Sequence, residues 1–559
     1  MSRPATLITL VLAGSLALDN PATAQAPASL PLKHTGKPTQ TAITPGDAMT
    51  RIYIFADDSV MGRRAGSEGD RRGTSYIERE VRRMGLVPAG DNGTFFQAVP
   101  LYDLSLDMTS KLSADSVALV AGRDYFPIRS AGMPRPVNGA QVIFAGDASD
   151  PATLIPAEKT MGKVVIISGF VGLAVSRYPN AVAFIVARPE QQLQQIRRFI
   201  LGSSQEMKGA EDTVRLPLTI IVPVASVTAF LGVPLVNARP GTVGRTLHGE
   251  IHYTITDTPA RNVVAILPGS DPKLRGEYVA IGAHSDHLGF RRDGPMDHDS
   301  LRTYNGAAQR IYVARTGRMP SLPGAGLTAK ERASINVNVD SLRRLRPARP
   351  DSIDNGADDD GSGTVGVLEI AEKFAGAKIK PERSLLFVWH TAEESGLYGS
   401  EYFTDHPTVP RDSIVAQLNI DMIGRGQAKD TPGGGPGYLQ VIGSRRLSTE
   451  LGDIIEKVNT SGRHDFNLDY AYDANGHPEQ YYCRSDHYEY ARYGIPIAFV
   501  SSGDHSDYHQ VTDEPQYIDY SHLARTASLI ADVAQAVANL DHRLVVDHRK
   551  SDPQSACVQ

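Results

Sequence analysis

The chain has 559 residues, room for up to roughly four domains at about 150 residues each. Its composition, 41% hydrophobic, 21% charged and 7% aromatic, is that of an ordinary globular protein and excludes disorder, coiled coil and collagen for the bulk of it. With 57 Lys+Arg against 63 Asp+Glu the formal charge is -6 and no long basic run stands out, which argues against a nucleic-acid partner; the two cysteines, Cys483 and Cys557, are too few for a disulfide framework or a thiolate zinc module, so any metal chemistry must rest on His, Asp and Glu.

Arg3 followed by the apolar run from Ala5 to Leu18 is signal-peptide length, short of the roughly 20 residues that a membrane-spanning helix needs. Ala22 and Ala24 form an A-x-A site, so residues 1–24 are expected to be removed on export and the mature protein to be soluble, periplasmic or secreted, with no membrane span. From Pro45 to Leu86 the pattern is helical, opened by Thr44 and Asp47 and closed by Gly85 and Pro88, with Tyr76, Ile77, Val81 and Met84 on one face. Residues 131–250 change character: the apolar, β-branched runs at 140–146, 163–169, 181–187 and 218–224 predict a β-rich insertion. Beyond Asn262, strands and helices alternate, with strands in NVVAIL, YVAIGAH, SLLFVWH, VAQLNID and IPIAFVS, and helices over 364–374, 447–458 and 524–540. That alternation implies an α/β fold with a mostly parallel (mixed) central sheet and helices on both faces. Residues 25–130 and 251–542 then form one discontinuous domain. A second insertion over 291–350 interrupts it, and a polar tail over 543–559 is expected to fray. The glycine-rich GGGPG at 433–437 lacks the strand-to-helix context of a nucleotide loop.

Five acidic or histidine clusters fall at the end of a predicted strand or just after it, where open α/β sheets place their sites. His284 and Asp286 share one side of an extended segment, so His284 is placed to reach a metal and Asp286 to stand behind it, while Ser285 and His287 are expected to face away. Three consecutive carboxylates, Asp358 to Asp360, precede a helix; they read as a cation site or as a solvated helix start. An EF-hand loop is excluded because the position twelve from Asp354 is Val365. Glu393 and Glu394 follow the strand holding the single tryptophan, Trp389, and adjacent carboxylates allow one to bind metal while the other moves a proton. Asp421 ends an almost wholly apolar run and needs a compensating partner. His505, Asp507, Tyr508, His509 and Asp513 share one loop. Imidazole and carboxylate without thiolate suit zinc, and a shared carboxylate suits a pair of ions about 3.5–4 Å apart.

HSD at 284–286, GADDDGSG at 356–363, AEESGLYGS at 392–400, NID at 419–421 and DYH at 507–509 occur in this order, and with them the chain resembles the co-catalytic, dinuclear zinc aminopeptidases of clan MH, peptidase family M28. The resemblance covers most of 45–130 and 255–540, and the 131–250 module is similar in placement to the protease-associated (PA) domain inserted in such proteins. It implies two zinc ions, with Asp359 bridging them, His284 and Asp421 completing one site and Glu394 and His509 the other. It also implies Glu393 as general base, Asp286 behind His284, and Tyr508 at the oxyanion; Asp486 and His487 of the RSDH segment are given a supporting role. The implied function is hydrolysis of N-terminal residues from peptides with a free N-terminus. Alternatives within the fold are a glutamate-carboxypeptidase-like peptidase and a glutaminyl cyclase, the latter disfavoured by the presence of both His284 and Asp421; outside enzymes, a receptor-like binding protein that has lost catalysis. The 291–350 insertion is longer than expected for the family and reads as a lid or specificity wall. Cys483 lies near the site and Cys557 in the tail, so no bridge between them is expected.

Overall fold

A computed structural model describes residues 30–128, 133–168, 177–190, 192–193, 202–208, 215–291, 294–462, 464–550 and 552–559. The expected export signal lies outside the described residues, among which no helix is long and apolar enough to cross a membrane.

Two helices open the structure. Helix α1 (Pro45–Phe55) is capped by the Thr44 hydroxyl, which accepts from the Asp47 N–H, with Pro45 at the first position. Helix α2 (Glu68–Arg83) is capped by Ser67, with acids in its first turn and Arg82 and Arg83 in its last, in keeping with the helix dipole. The fully buried Arg51 of α1 pairs with Glu369, Glu372 and Glu80, and so ties both helices to the helix that leads out of the site.

The central sheet has nine strands. Its main members in chain order are β1 (Ala260–Leu267), β2 (Tyr278–His284), β3 (Ser384–His390), β4 (Ile414–Ile420), β5 (Tyr438–Ile442) and β6 (Ile497–Ser501). In space they run β1, β3, β2, β4, β6, β5. The four middle strands are parallel, whereas β1 pairs antiparallel with β3 and β5 with β6. Every residue of β3 and β4 is buried, as expected for strands covered on both faces. Helices α1, α2, α3 (Gly361–Gly376) and α4 (Tyr520–Ala538) share the larger core with one face of the sheet, around Trp389, Phe387 and Ile281. Phe403, Leu447 and Tyr490 pack on the other. This is the mixed α/β architecture expected from the alternation of strands and helices.

The β-rich module forms its own eight-stranded sheet, and it starts earlier than the expected boundary at 131. Strands Lys111–Ala114, Val117–Leu119 and Phe126–Ile128 belong to it, and Ala114 pairs with Leu247 far along the chain. Such short strands carry too few residues to show which sheet they join; their pairing is set by non-local register. A three-stranded ribbon of Leu101–Leu106, Tyr253–Asp257 and Ser204–Met207 marks the entry and exit of the module. The second insertion leaves through two short antiparallel pairings, 289–290 with 353–354 and 296–297 with 350–351, and is helical between them, with a long helix His298–Thr316 and short ones at Ala329–Ser334 and Val339–Leu345.

The tail departs from expectation. Cys483 and Cys557 form a disulfide with Cα atoms 5.8 Å apart. The buried Gln559 donates to the Tyr472 carbonyl and accepts from the Gly476 and Tyr482 N–H groups. Polarity alone suggests fraying, but these backbone contacts and the bridge are supplied by a segment 74 residues upstream of the second cysteine. Cys557→Ser is expected to destabilise the protein by about 2–4 kcal/mol and to expose residues 543–559 to protease; a variant as resistant and as heat-stable as the parent would show that the bridge holds nothing.

Candidate metal centre

The parallel strands β2, β3, β4 and β6 deliver their C-terminal ends to one edge of the sheet. Since β3 lies on one side of β2 and β4 on the other, the connections diverge there and leave a crevice. His284 is the last residue of β2, Asp421 follows β4, Glu393 and Glu394 follow β3, and the 503–513 loop follows β6.

His284 turns Nδ1 toward the Asp286 carbonyl, 3.2 Å away, which leaves Nε2 facing Asp359 at 3.2 Å and Asp421 at 3.7 Å. On the other side of Asp359, His509 Nε2 lies 3.0 Å from both Asp359 Oδ2 and Glu394 Oε2. The five residues expected to hold metal are therefore brought together, with Asp359 between the two halves. Asp286 places its carboxylate 3.7 Å from His284 Nδ1 and accepts from the Glu393 N–H at 3.1 Å, so it orients the backbone of the candidate base. Glu393 sits at the edge of the cluster, its Oε2 4.0 Å from His284 Nε2.

The structure distinguishes the three consecutive aspartates. Asp360 spends its carboxylate on the N–H groups of His284, Gly363 and Met422. Asp358 accepts from the Gly424 N–H and faces His505 at 3.1 Å. The side chain of Asp513 accepts from the N–H groups of Asp358 and Asp359 and fixes the turn. Only Asp359 keeps its carboxylate for the crevice. The fully buried Arg63 donates to the carbonyls of Ser285, Asn355 and Gly356, and so clamps the two ligand-bearing segments together.

His287 departs from the expectation that it faces away. It is buried, its Nδ1 lies 2.7 Å from Glu394 Oε1, and its ring meets that of His509 edge-on. The period-two alternation behind that expectation ends with β2 at Tyr278–His284, and beyond it the chain turns so that the His287 N–H bonds the Arg63 carbonyl. A histidine three residues past a candidate ligand is the signal that points to it. Sequence reasoning also misses Tyr481 and Asp504 as walls of the crevice, which they line with Arg484 of the RSDH segment and with Met422, Phe499 and Tyr508. Asp486 and His487 lie beneath it, Asp486 3.3 Å from His390 and His487 stacked on Phe499.

Burial opposes charge on His284 and His509, but the surrounding carboxylates raise both well above the ordinary imidazole range. Glu393 is driven well above the usual carboxylate range by burial, and then by the charges of Glu394, Asp421 and Asp486. Burial also works to raise Glu394, yet His509 and the hydrogen bond with His287 hold it at about 2. Burial raises Tyr508 well above an ordinary phenol, so it keeps its proton; its hydroxyl accepts from Arg484 at 3.3 Å.

The donor set fits divalent metal. Asp286, Asp359, Glu393, Glu394 and Asp421 crowd one buried region; Arg63, which spends its donors on backbone carbonyls, and Arg484 at the rim offset only part of this charge, and the surplus favours a bound cation. Asp359 Oδ2 and His509 Nε2 are both buried and, although 3.0 Å apart, make no hydrogen bond of acceptable geometry, so both are free to act as ligands. Two groups of possible ligands lie within reach of an ion, His284 with Asp360 and Asp421, and His287 with Asp359 and Glu394. In the first, Asp359 is the better partner, because Asp360 is engaged by backbone.

Comparison with known proteins places this geometry. The profile of peptidase family M28 matches residues 333–534, the stretch holding Asp359, Glu393, Glu394, Asp421 and His509. Residues 333–534 thus resemble a family M28 domain. Leucine aminopeptidase 1 of Sclerotinia sclerotiorum is 33% identical over 213 residues, 36% of this chain and 52% of that protein. The chain thus spans about half the length of the leucine aminopeptidases it matches. The fold of the M28 domain and its surroundings is shared with an aminopeptidase from Aneurinibacillus sp. strain AM-1 (TM-score 0.50, 16% identity, 91% of this chain and 97% of that one) and with BSAP, a zinc aminopeptidase from Bacillus subtilis (TM-score 0.50, 14% identity, 92% and 100%).

Proposed function

We propose that this protein is an exported aminopeptidase that uses two zinc ions to hydrolyse the first peptide bond of substrates with a free N-terminus. The observation that carries the reading is the convergence of His284, Asp359, Glu394, Asp421 and His509 around one crevice, with Glu393 beside them and, among the described residues, within ion-pair distance of His284 alone. His284 and Asp421 would hold one ion, Glu394 and His509 the other, and Asp359 both; His287 steadies Glu394 from behind. Bound there, zinc supplies Lewis acidity, polarising the scissile carbonyl and acidifying water. Glu393 takes the proton from the attacking water and returns it to the departing amine, held in place by the Asp286 bond to its N–H. Tyr508 donates its retained phenolic proton to the developing oxyanion. Met422, Tyr481 and Phe499 offer apolar contacts to the N-terminal side chain, in keeping with the leucine aminopeptidases among the relatives. The β-rich module takes the place of a protease-associated domain, with the strands at 111–128 added to the expected 131–250.

The test is a panel of aminoacyl-p-nitroanilides and matched N-blocked peptides. Unblocked substrates are expected to turn over at least about 10³-fold faster, because a site built for an amine is left unpaired by its blocked analogue. A chelator should abolish activity and zinc restore it. Turnover of blocked peptides at equal rate, or indifference to chelator, would overturn the proposal.

A further inference from the structure

The helical insertion and the peptidase domain border an open cavity of about 610 Å³ that shares no residue with the metal crevice. One wall is a single face of the helix His298–Thr316, where Asp299, Arg302, Thr303, Gly306 and Arg310 recur at helical spacing. Leu342, Leu345 and Arg346 close it from the short helix behind, and Lys429, Ser506 and Tyr517 from the peptidase domain. Four cations face this space against the carboxylates of Asp299 and Asp430. Arg346 is paired with Asp299, and Arg302 with Asp507 at 3.1 Å while stacked on Tyr517. Asp430 lies 3.8 Å from the buried Arg425. Arg310 and Lys429 remain, each exposed and without an ion-pair partner among the described residues. The Arg310 guanidinium folds back over Gly306, where an added Cβ would stand 3.4 Å from Nη1, so the missing side chain keeps the floor open beneath the cation.

One loop separates this cavity from the metal crevice: Asp504 and Tyr508 line the crevice and Ser506, between them, lines the cavity. Two residues of chain span at most about 7 Å, so the wall between the crevice and the cavity is one loop thick, and a peptide that crosses this loop meets the cavity within a few residues. We propose that the cavity is a carboxylate subsite, in which Arg310 and Lys429 bind an anionic group of the peptide on the far side of the bond that is cut. This rests on the peptidase reading and deepens it: peptides carrying a carboxylate a few residues from their N-terminus are the favoured substrate class. The C-terminal carboxylate of a short peptide and the side chain of Asp or Glu in a longer one present the same chemistry.

The experiment compares the zinc-loaded parent with Arg310→Gln/Lys429→Gln, and with Gly306→Leu, which fills the floor without changing charge. Substrates are a tetrapeptide as free acid, the same peptide as amide, an amide with one internal Glu, and an aminoacyl-p-nitroanilide with no carboxylate. The parent should prefer the free acid over the amide by about tenfold in kcat/KM, mostly through KM, the scale of two exposed ion pairs. The internal-Glu amide assigns the source, by regaining the preference if a side chain serves and by staying with the plain amide if only the C-terminus does. Both variants should lose the preference yet keep parental turnover of the nitroanilide. Equal rates for acid and amide in the parent, or an equal loss on all substrates in the variants, would overturn the subsite. Calorimetric binding of acid and amide to the same proteins, measured without turnover, keeps it testable if the nitroanilide is not cleaved, which would count against the peptidase reading alone.

Discussion

Glu393→Gln is expected to lower turnover of an unblocked substrate by about 10³-fold while metal analysis still finds two zinc ions per chain. The reasoning is geometric. His284, Asp359, Glu394, Asp421 and His509 form the cluster without Glu393, whose nearest imidazole contact is 4.0 Å, and the Asp286 carboxylate holds the backbone of residue 393 and not its side chain. An amide fills the same volume but cannot accept a proton at neutral pH, so binding is kept and proton transfer is lost. Preserved activity would remove Glu393 from the mechanism, and loss of metal would make it a ligand. The neighbouring Glu394→Gln should behave in the opposite order, losing metal first, because its carboxylate is the one shared by His287 and His509.

The second large effect is expected at Asp359. Asp359→Asn should take the zinc content from two ions per chain to nearly none and activity down by more than about 100-fold, since even residues behind a metal ligand cost 10–100-fold in affinity. Asp421→Asn should cost only the ion shared with His284. The contrast follows from position: Asp359 lies within 3.2 Å of His284 on one side and 3.0 Å of His509 on the other, whereas Asp421 touches only the first half and is held by the Ser485 hydroxyl. If Asp359→Asn and Asp421→Asn each lose one ion, the aspartate does not bridge. If neither loses any, the metal lies elsewhere. Calorimetric unfolding of zinc-loaded and chelated protein supplies a second readout, because an ion bound only by the folded state raises the transition temperature by mass action.

Much of this centre is legible in the order of the residues. His284, Glu394 and Asp421 lie at the end of a buried strand or just after one and His509 in the loop after another, and the apolar runs that mark such strands are the strongest local signal a chain carries. The choice among Asp358, Asp359 and Asp360 is not local. Three adjacent carboxylates look alike in sequence, and it is the resemblance to a family that selects the middle one. In the structure they differ because the N–H groups of residues 284, 363, 422 and 424 take up the outer two. His287 escapes a sequence reading for a related reason: alternation tells where a side chain points only while the strand lasts.

Pairing across long separations follows the same division. The strands of the β-rich module at 141–147, 164–168, 183–188 and 218–223 fall close to the expected runs, but residues 111–114 and 126–128 join it through distant partners, at 247–250 and 219–221. The bridge from Cys483 to Cys557 and the burial of Gln559 likewise come from a fold that carries a polar tail back over the segment at 472–482. Local order along the chain is enough for the α/β alternation, the strand ends that bear chemistry and the crowding of carboxylates, because periodicity, apolarity and charge are properties of neighbours in sequence. Which carboxylate stays free, which histidine turns inward and which cations around the insertion are left without an ion pair come only with folding, because each depends on hydrogen bonds and ion pairs between segments distant in the chain.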